Sequence, residues 1–209
     1  MSATPGWPAT LREGPIALRP LRLRDGAAWI ETRLRNEDWL APWEGAAEHQ
    51  LSMSWPERHT MASYTTLLRL LRRDARGGRA LPFALTHSGR LAGQVTVSTV
   101  VRGAFSSASV GYWIDGALAG RGLMPTALAL VADHCLGPVG LHRVEANIRP
   151  ENVASRRVVE KLGFREEGLH RRLLFIDGDW RDHVCYALLR EDIPEGVVRR
   201  WQATGGETA

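Results

Sequence analysis

The chain has 209 residues, 27 basic against 23 acidic side chains for a net charge of +4, and 44% apolar residues, which suits one compact domain with a real core and excludes a disordered chain. No window approaches the roughly 20 uninterrupted apolar residues that cross a bilayer, and the N-terminus lacks the basic-then-apolar layout of a secretory signal. A cytoplasmic protein without a membrane partner is expected, and because the positive charge forms no dense basic arm, so is the absence of direct nucleic-acid recognition.

Lys161 is the only lysine. Arginine therefore carries nearly all the positive charge, and its planar fork suits phosphate and carboxylate. Cys135 and Cys185 fall in a predicted helix and a late predicted strand, with no metal-spaced cluster around them. Buried free thiols and no metal site are expected.

In chain order, Ile16 to Leu21 reads as a first strand, and Asp25 is placed to cap a helix running through Ala28, Trp29 and Ile30 towards Arg35. Residues 38–44, DWLAPWE, interrupt that helix. Between Pro56 and Gly77 the apolar residues Met61, Tyr64, Leu67, Leu68 and Leu71 recur at three- and four-residue steps, the pattern of an amphipathic helix with arginines outside. From Ala80 the texture changes to short β-type runs separated by turns: LPFALTH, LAGQVTVSTV and SASVGYWID, an antiparallel meander. Helices over Met124 to Leu136 and Asn152 to Leu162 flank a strand HRVEANI, and the strands LHRRLLFID and HVCYALLR follow. The expectation is an α+β fold with a mixed, mostly antiparallel central sheet of about seven strands flanked by helices. A single domain is expected over 16–195, between an N-terminal extension, 1–15, and a C-terminal tail, 196–209, whose last residues from Thr204 read as loose.

The most informative segment is GYWIDGALAGRGLMPTAL, residues 111–128. A strand ends at Asp115, glycines stand at 116, 120 and 122, and a helix opens with Pro125 in its first turn, where the missing N–H does no harm. Such a turn gathers free backbone N–H groups at the positive end of a helix dipole and so makes a site for phosphate. No lysine and hydroxyl pair follows the glycines, which excludes a nucleotide P-loop, and the context does not match the dinucleotide fingerprint.

This segment resembles the acetyl-CoA loop of the GNAT superfamily, with Gly122 as its central glycine, Gly120 and Arg121 before it and Leu123 and Met124 after. Ala119 and Met124 depart from the usual Gln/Arg and Gly/Ala, which removes a side-chain contact and keeps the backbone cradle. The resemblance sharpens in HRVEANIRPENVASRRVVEKLGFREEG, which is similar to the RimJ/RimL-like branch, as are IDGDWRDHVCYALL and the early LRPLRLRD with WLAPWE. It runs from about residue 16 to 193.

The resemblance implies an acetyl-CoA-dependent N-acetyltransferase acting on the N-terminal α-amine of a protein, with a ribosomal protein as the partner the branch suggests, and a monomer or homodimer. Asn152 then meets the pantetheine arm and also reads as a helix N-cap; Ser155 lies near the thioester sulfur; backbone N–H groups from Val110 through Tyr112 to Trp113 hold the thioester carbonyl. Arg121 and Arg156, with Arg157 beside it, are candidates for the phosphates. Ser155 is the candidate proton donor to the departing thiolate, with Tyr112 or Tyr186 as substitutes. Alternation in HRVEANI puts Arg143, Glu145 and Asn147 on one face, making Glu145 the leading base, with an ion pair to Arg143 as the alternative, and Asn147 a substrate contact. Trp39, Trp43 and Glu44 belong to the segment that builds the acceptor groove in this family. Trp180, Asp177 and Asp179 are either acceptor-side groups or ordinary turn formers.

The reacting amine must be neutral. An α-amino group, with a reference pKa of about 7.7–8.0, is roughly 10–15% neutral at pH 7, whereas a lysine at about 10.4 is well under 0.1%. A site without a strong base therefore suits an N-terminus. Two rival readings stand beside this one: acyl transfer to a small amine such as an antibiotic, polyamine or amino acid, which an acidic acceptor cleft would favour, and a non-catalytic acetyl-CoA-binding module, for which Ala119 and Met124 are the sequence support.

Overall fold

The computed structural model describes residues 5–45, 50 and 52–206. Eight strands form one sheet in the order β1 (Leu11–Glu13), β2 (Ile16–Pro20), β3 (Leu81–His87), β4 (Arg90–Val101), β5 (Ser107–Ile114), β6 (Arg143–Ile148), β8 (Asp179–Leu189) and β7 (Arg165–Ile176). Every neighbouring pair is antiparallel except β5 and β6. The expected α+β class with a mixed, mostly antiparallel sheet is what the chain adopts.

Seven α-helices are present among the described residues: α1 (Gly26–Arg35), α2 (Glu37–Leu40), α3 (Trp55–Arg58), α4 (Met61–Arg76), α5 (Leu123–Leu136), α6 (Val153–Lys161) and α7 (Val197–Ala203). None is long and apolar enough to cross a membrane. The single helix expected after Pro56 is two. Thr60 starts α4 afresh, because its hydroxyl accepts from the Ser63 N–H while the Ser63 hydroxyl accepts from the Thr60 N–H, a reciprocal cap that closes off the preceding turn.

Alternation along the strands sorts side chains onto two faces. Leu81, Phe83 and Leu85 of β3 enter the main core with Val95, Val144 and Leu188, while Ala84 faces the other way, onto a smaller cluster of Leu21, Trp29, Tyr64 and Leu68 under α1 and α4. Helix α5 is buried almost all round, as a helix apolar on every side must be; it fills the main core between the sheet, α6 and α7. Cys135 and Cys185 are free and buried.

Two elements lie outside 16–195. Strand β1 pairs with β2 through Leu11 and Leu18. Helix α7 buries Val197 and Trp201, and its first N–H groups, on Val197 and Val198, donate to the Asp133 carboxylate at 2.7 and 3.0 Å. The expected loose tail is described only as far as residue 206, with 207–209 outside the described residues.

Candidate active site

The parallel pairing of β5 and β6 runs through Ser107 with Arg143, Ala108 with Val144, and Ser109 with Glu145, and stops there. Beyond it β6 stays paired with β8 as far as Ile148 and β5 stays paired with β4 as far as Ile114. The strands splay, and backbone groups of Val110 to Trp113 lose their neighbour on the β6 side. Unpaired backbone in a sheet interior needs another partner.

A cavity of about 880 Å³ opens at this splay, lined among others by Gly111, Tyr112, Trp113, Gly120, Gly122, Leu123, Met124, Asn152 and Ser155. Its volume is that of a site for a large cofactor. Gly111 has open space where a Cβ would stand, so the strand presents bare backbone to the cavity. Gly120 and Gly122 take φ of +78° and +75°, a conformation that non-glycine residues adopt only at a cost. These two turns swing the chain from a short 3₁₀ turn over Gly116–Leu118 into α5, aiming its first N–H groups at the cavity, where an anion is favoured. The residues present fit a phosphate-bearing thioester cofactor.

Several hydrogen bonds fix this loop. Asp115 caps the 3₁₀ turn by accepting from the Ala117 N–H and also accepts from Asn36 Nδ2 at 2.9 Å and Arg35 at 2.6 Å. Burial alone would raise its carboxyl, but these donors outweigh burial and hold it below the ordinary carboxylate range. Asn36 in turn accepts from the Gly116 N–H, and Trp39 Nε1 donates to the Ile114 carbonyl. On the far side Thr126 Oγ1 donates to the Gly122 carbonyl and accepts from Trp201 Nε1 at 2.9 Å.

Opposite the loop, Asn152 accepts from the Ser155 N–H at 3.0 Å and caps α6. The Tyr112 hydroxyl donates to the Ser155 carbonyl at 3.0 Å. Burial pushes that phenol up, against the opposing effect of the bond to Ser155, so it stays a neutral donor already engaged. Between Ser155 and Tyr112, two of the three expected proton donors, the Ser155 hydroxyl is the freer.

The acceptor end is aromatic. Trp29, Trp39, Trp43 and Trp113 line it with Leu67, Gln94, Thr96 and the carboxylate of Glu44. Arg33, barely exposed, lies beneath, its guanidinium 5.0 to 5.3 Å from the ring centroids of Trp29, Trp55 and Trp113, where a desolvated cation gains from the ring faces. It donates to His59 Nε2 and is paired with Glu44. His59 Nδ1 then donates to the Trp55 carbonyl, and burial together with the neighbouring Arg33 and Arg58 pushes His59 down to about 4. The segment carrying Trp43 is held by Arg149, which donates to the Pro42 carbonyl at 2.8 Å and covers the Trp43 ring.

Some expected site residues lie elsewhere. Glu145 does not line the cavity; it accepts from Arg143, which also forks onto Glu167, the ion-pair alternative. Asn147 is off the cavity lining too, with a buried Oδ1 lacking a hydrogen-bond partner. The Val110 side chain points into the core. Arg121 is exposed at the loop's outer edge. Arg156 is turned away, donating to the Tyr186 hydroxyl at 2.8 Å; that hydroxyl in turn donates towards Glu160 and Glu166 at 3.4 and 3.3 Å, and Tyr186 is off the cavity lining. Arg157 and Lys161, one turn apart on α6, line the cavity, as does Arg33 at the acceptor end. Trp180 is exposed on the β7–β8 turn, packed edge-on against Phe175, with Asp179 bonded to the Trp180 N–H as a turn former. Arg33 and Arg149 were not singled out from sequence, because one arginine among many carries no signal until the tryptophans around it are assembled; Lys161 stood out as the only lysine but was given no place in the site.

Comparison with known proteins agrees with this geometry. Residues 16–165 match the family model described as Acetyltransferase (GNAT) domain. The [ribosomal protein uS5]-alanine N-acetyltransferase of Escherichia coli is 31% identical over 185 residues, covering 87% of this chain and 91% of that one. The probable N-acetyltransferase YjcK of Bacillus subtilis is 43% identical over 103 residues, 49% of this chain and 57% of YjcK. Among solved structures, Mycobacterium smegmatis RimJ in complex with CoA-disulfide superposes with a TM-score of 0.91 at 43% identity, covering 96% of this chain and 97% of that one. The splayed strands, the glycine loop and the cofactor-sized cleft thus have their counterpart in known enzymes that use acetyl-CoA as co-substrate: the chain belongs to the GNAT acetyltransferases, in their RimJ/RimL-like branch.

Proposed function

We propose that this acetyltransferase acts on the α-amine of a protein N-terminus, with a ribosomal protein as its acceptor in the cytoplasm. The observation that carries the reading is the acceptor end of the cleft: four tryptophans and, among the described residues, no deeply buried free carboxylate. Its lining carboxylates are Asp38 and Glu151, which are exposed, and Glu44, which is paired with Arg33. Among the described residues nothing there serves as a strong base for a lysine or gathers charge for a polycationic drug, whereas an α-amine needs little help to lose its proton. The uS5-alanine specificity of the Escherichia coli relative supports the same choice.

In this reading the backbone N–H groups of Gly120, Gly122, Leu123 and Met124, with Arg121 at the edge, hold the phosphates of acetyl-CoA. Asn152 bonds the pantetheine arm. The thioester carbonyl faces the backbone of Val110, Tyr112 and Trp113, which polarises it as charge develops. The attacking amine loses one proton as the C–N bond forms and the C–S bond breaks; Ser155 hands its proton to the departing thiolate and regains the one released from the amine, and Tyr112 keeps Ser155 in place. Trp39 and Trp43 enclose the first residues of the acceptor, with the Arg33-paired Glu44 beside its amine. Acetyl-CoA supplies the acyl group and its thiol leaves.

The test is thiol release from acetyl-CoA with a panel of alanine- and serine-started peptides, the same peptides with blocked α-amines, polyamines and aminoglycosides. Release with free peptides, absent with blocked ones, is the expected result. Turnover of small amines alone would assign the enzyme to them, and tight acetyl-CoA binding without any turnover would leave a sensor.

A further inference from the structure

A second, smaller cavity of about 240 Å³ lies on the other flank of α4, lined by Trp7, Pro20, Leu21, Leu68, Ala75 and Pro82 and by three arginines, Arg22, Arg72 and Arg76. The three are exposed and form no ion pair among the described residues. Asp25, three residues on from Arg22, is already taken: it accepts two bonds from Arg19, at 2.7 and 2.8 Å, and a third from the Arg22 N–H. Like charges gathered around an apolar floor repel one another, and a bound anion relieves that cost.

The positive surface continues past the cavity. Arg69, Arg72, Arg73 and Arg76 recur at three- and four-residue steps along α4 and share a face. At a rise of 1.5 Å per residue the row is about 10 Å long. Asp74 is the one carboxylate of α4; it is bonded to Arg79 at 2.7 Å and more loosely paired with Arg73 at 3.5 Å, which leaves Arg69, Arg72 and Arg76 of the row without an ion pair among the described residues. A lone phosphate would engage only the cavity arginines; a row of this length fits several phosphates joined in a strand. The ring of Trp7, half-buried at the cavity wall and edge-on to Phe83, adds an aromatic surface of the kind on which unstacked bases rest. Forked guanidinium groups beside an aromatic ring match a nucleotide better than they match an acidic peptide.

We infer that Arg22, Arg72 and Arg76, with the arginine row of α4 and Trp7, form a binding site for the phosphate backbone of single-stranded RNA. The sequence hides this site because Arg22 is about fifty residues from Arg72 and the whole chain is only mildly basic; folding brings the arginines together. Helix α4 presents Leu67 to the acetyl-transfer cleft and Leu68 and Arg72 to this site, so an enzyme held on RNA through one flank keeps its cleft open on the other. The site does not depend on which amine the cleft accepts.

The experiment is fluorescence anisotropy of a labelled 12-nucleotide single-stranded RNA at several salt concentrations, with the wild-type protein and an Arg22→Gln/Arg72→Gln/Arg76→Gln variant. Wild-type binding should weaken with salt, and the variant should bind at least ~10-fold less tightly with a log–log salt slope shallower by about 2, at roughly 0.7 for each phosphate that is no longer neutralised. A control variant, Arg12→Gln/Arg90→Gln/Arg171→Gln, removes the same charge from exposed positions elsewhere and should bind RNA as the wild type does. Thermal melts and acetylation of a free peptide should be unchanged in both variants. The inference is overturned by no RNA binding at 50 mM salt, by equal weakening in the two variants, by a 12-residue polyglutamate binding as tightly as the RNA, or by AMP displacing the RNA at the concentration at which RNA displaces itself.

Discussion

The Tyr112 hydroxyl donates to the main-chain carbonyl of Ser155 at 3.0 Å, tying the splayed half of β5 to the first turn of α6 across the cofactor cleft. A positioning bond and a reacting hydroxyl differ kinetically. Tyr112→Phe should keep kcat within about threefold while raising KM for acetyl-CoA, since one hydrogen bond is worth about 1 kcal/mol. Ser155→Ala should lower kcat by about 10² with KM little changed, the signature of missing proton transfer. Steady-state kinetics on the two variants separates the roles, and equal effects in both would reverse them.

Gly111 offers a way to close the cleft without unfolding the protein. Its missing side chain would stand in open cavity, and strands favour β-branched residues. On the face it shares with Thr96 and Trp113, Gly111→Val should therefore crowd the acceptor end, raising KM for the peptide about tenfold or more, and leave the thermal midpoint unchanged or higher. A variant that melts early would show that the strand, and not the cavity, needed glycine.

His59 makes stability depend on pH. It is neutral in the folded protein, pushed down to about 4 by burial and by Arg33 and Arg58, whereas an unfolded imidazole titrates near 6.5. The unfolded chain thus takes up the proton first. The stabilisation is complete above about pH 6.5 and is lost as pH falls towards 4, by about 2 to 3 kcal/mol. Urea unfolding at pH 7 and pH 4.5 should show this loss in the wild type and a smaller one in His59→Gln.

Asp115 joins α1 to the cofactor loop through Arg35, Asn36 and the Ala117 N–H. Asp115→Ala leaves those donors without their acceptor and should destabilise by about 3 kcal/mol, with a raised KM for acetyl-CoA because the loop loses its anchor. The depressed carboxyl contributes stability that is present above the unfolded value and is lost as pH falls through the folded one. Asp115→Asn should therefore be less stable than wild type at pH 7 and approach it in acid.

Truncation before Gly196 tests where the domain ends. It would uncover the sites filled by Val197 and Trp201, at roughly 1.5–3 kcal/mol for each buried side chain. A loss of about 4 kcal/mol or more in urea unfolding is expected, and an unchanged midpoint would make α7 dispensable.

Periodicity and turn chemistry were legible wherever one local rule acted alone. The β-type run LPFALTH between turn residues and the Asn152 cap located β3 and α6 closely, and the glycine spacing pointed to the loop before α5. Pairing over distance was not legible. Strand β1 has three residues and exists because Leu18 is there to receive it, and α7 is ordered by Asp133 and Thr126, contributed by another helix. The same limit governed the site. Asn152, Ser155 and the glycines were visible because motif and geometry coincide in one stretch of chain. Glu145 alternated onto the expected face, yet Arg143 two residues before it and Glu167 across β8 close an ion-pair network that periodicity cannot register. Arg33 required three tryptophans from three segments.

Thr126 stands between Trp201 and the Gly122 carbonyl. During synthesis the glycine turn leaves the ribosome some eighty residues before the indole that steadies it. Until Trp201 arrives, Thr126 has only half of its bonding and α5 has one flank bare, so the nascent enzyme carries a cofactor loop not yet clamped. Competence for acetyl transfer is thereby tied to the emergence of α7: a nascent chain exposed only as far as β8 would display the sheet, both halves of the cleft and the tryptophan wall, yet not the latch that sets the loop.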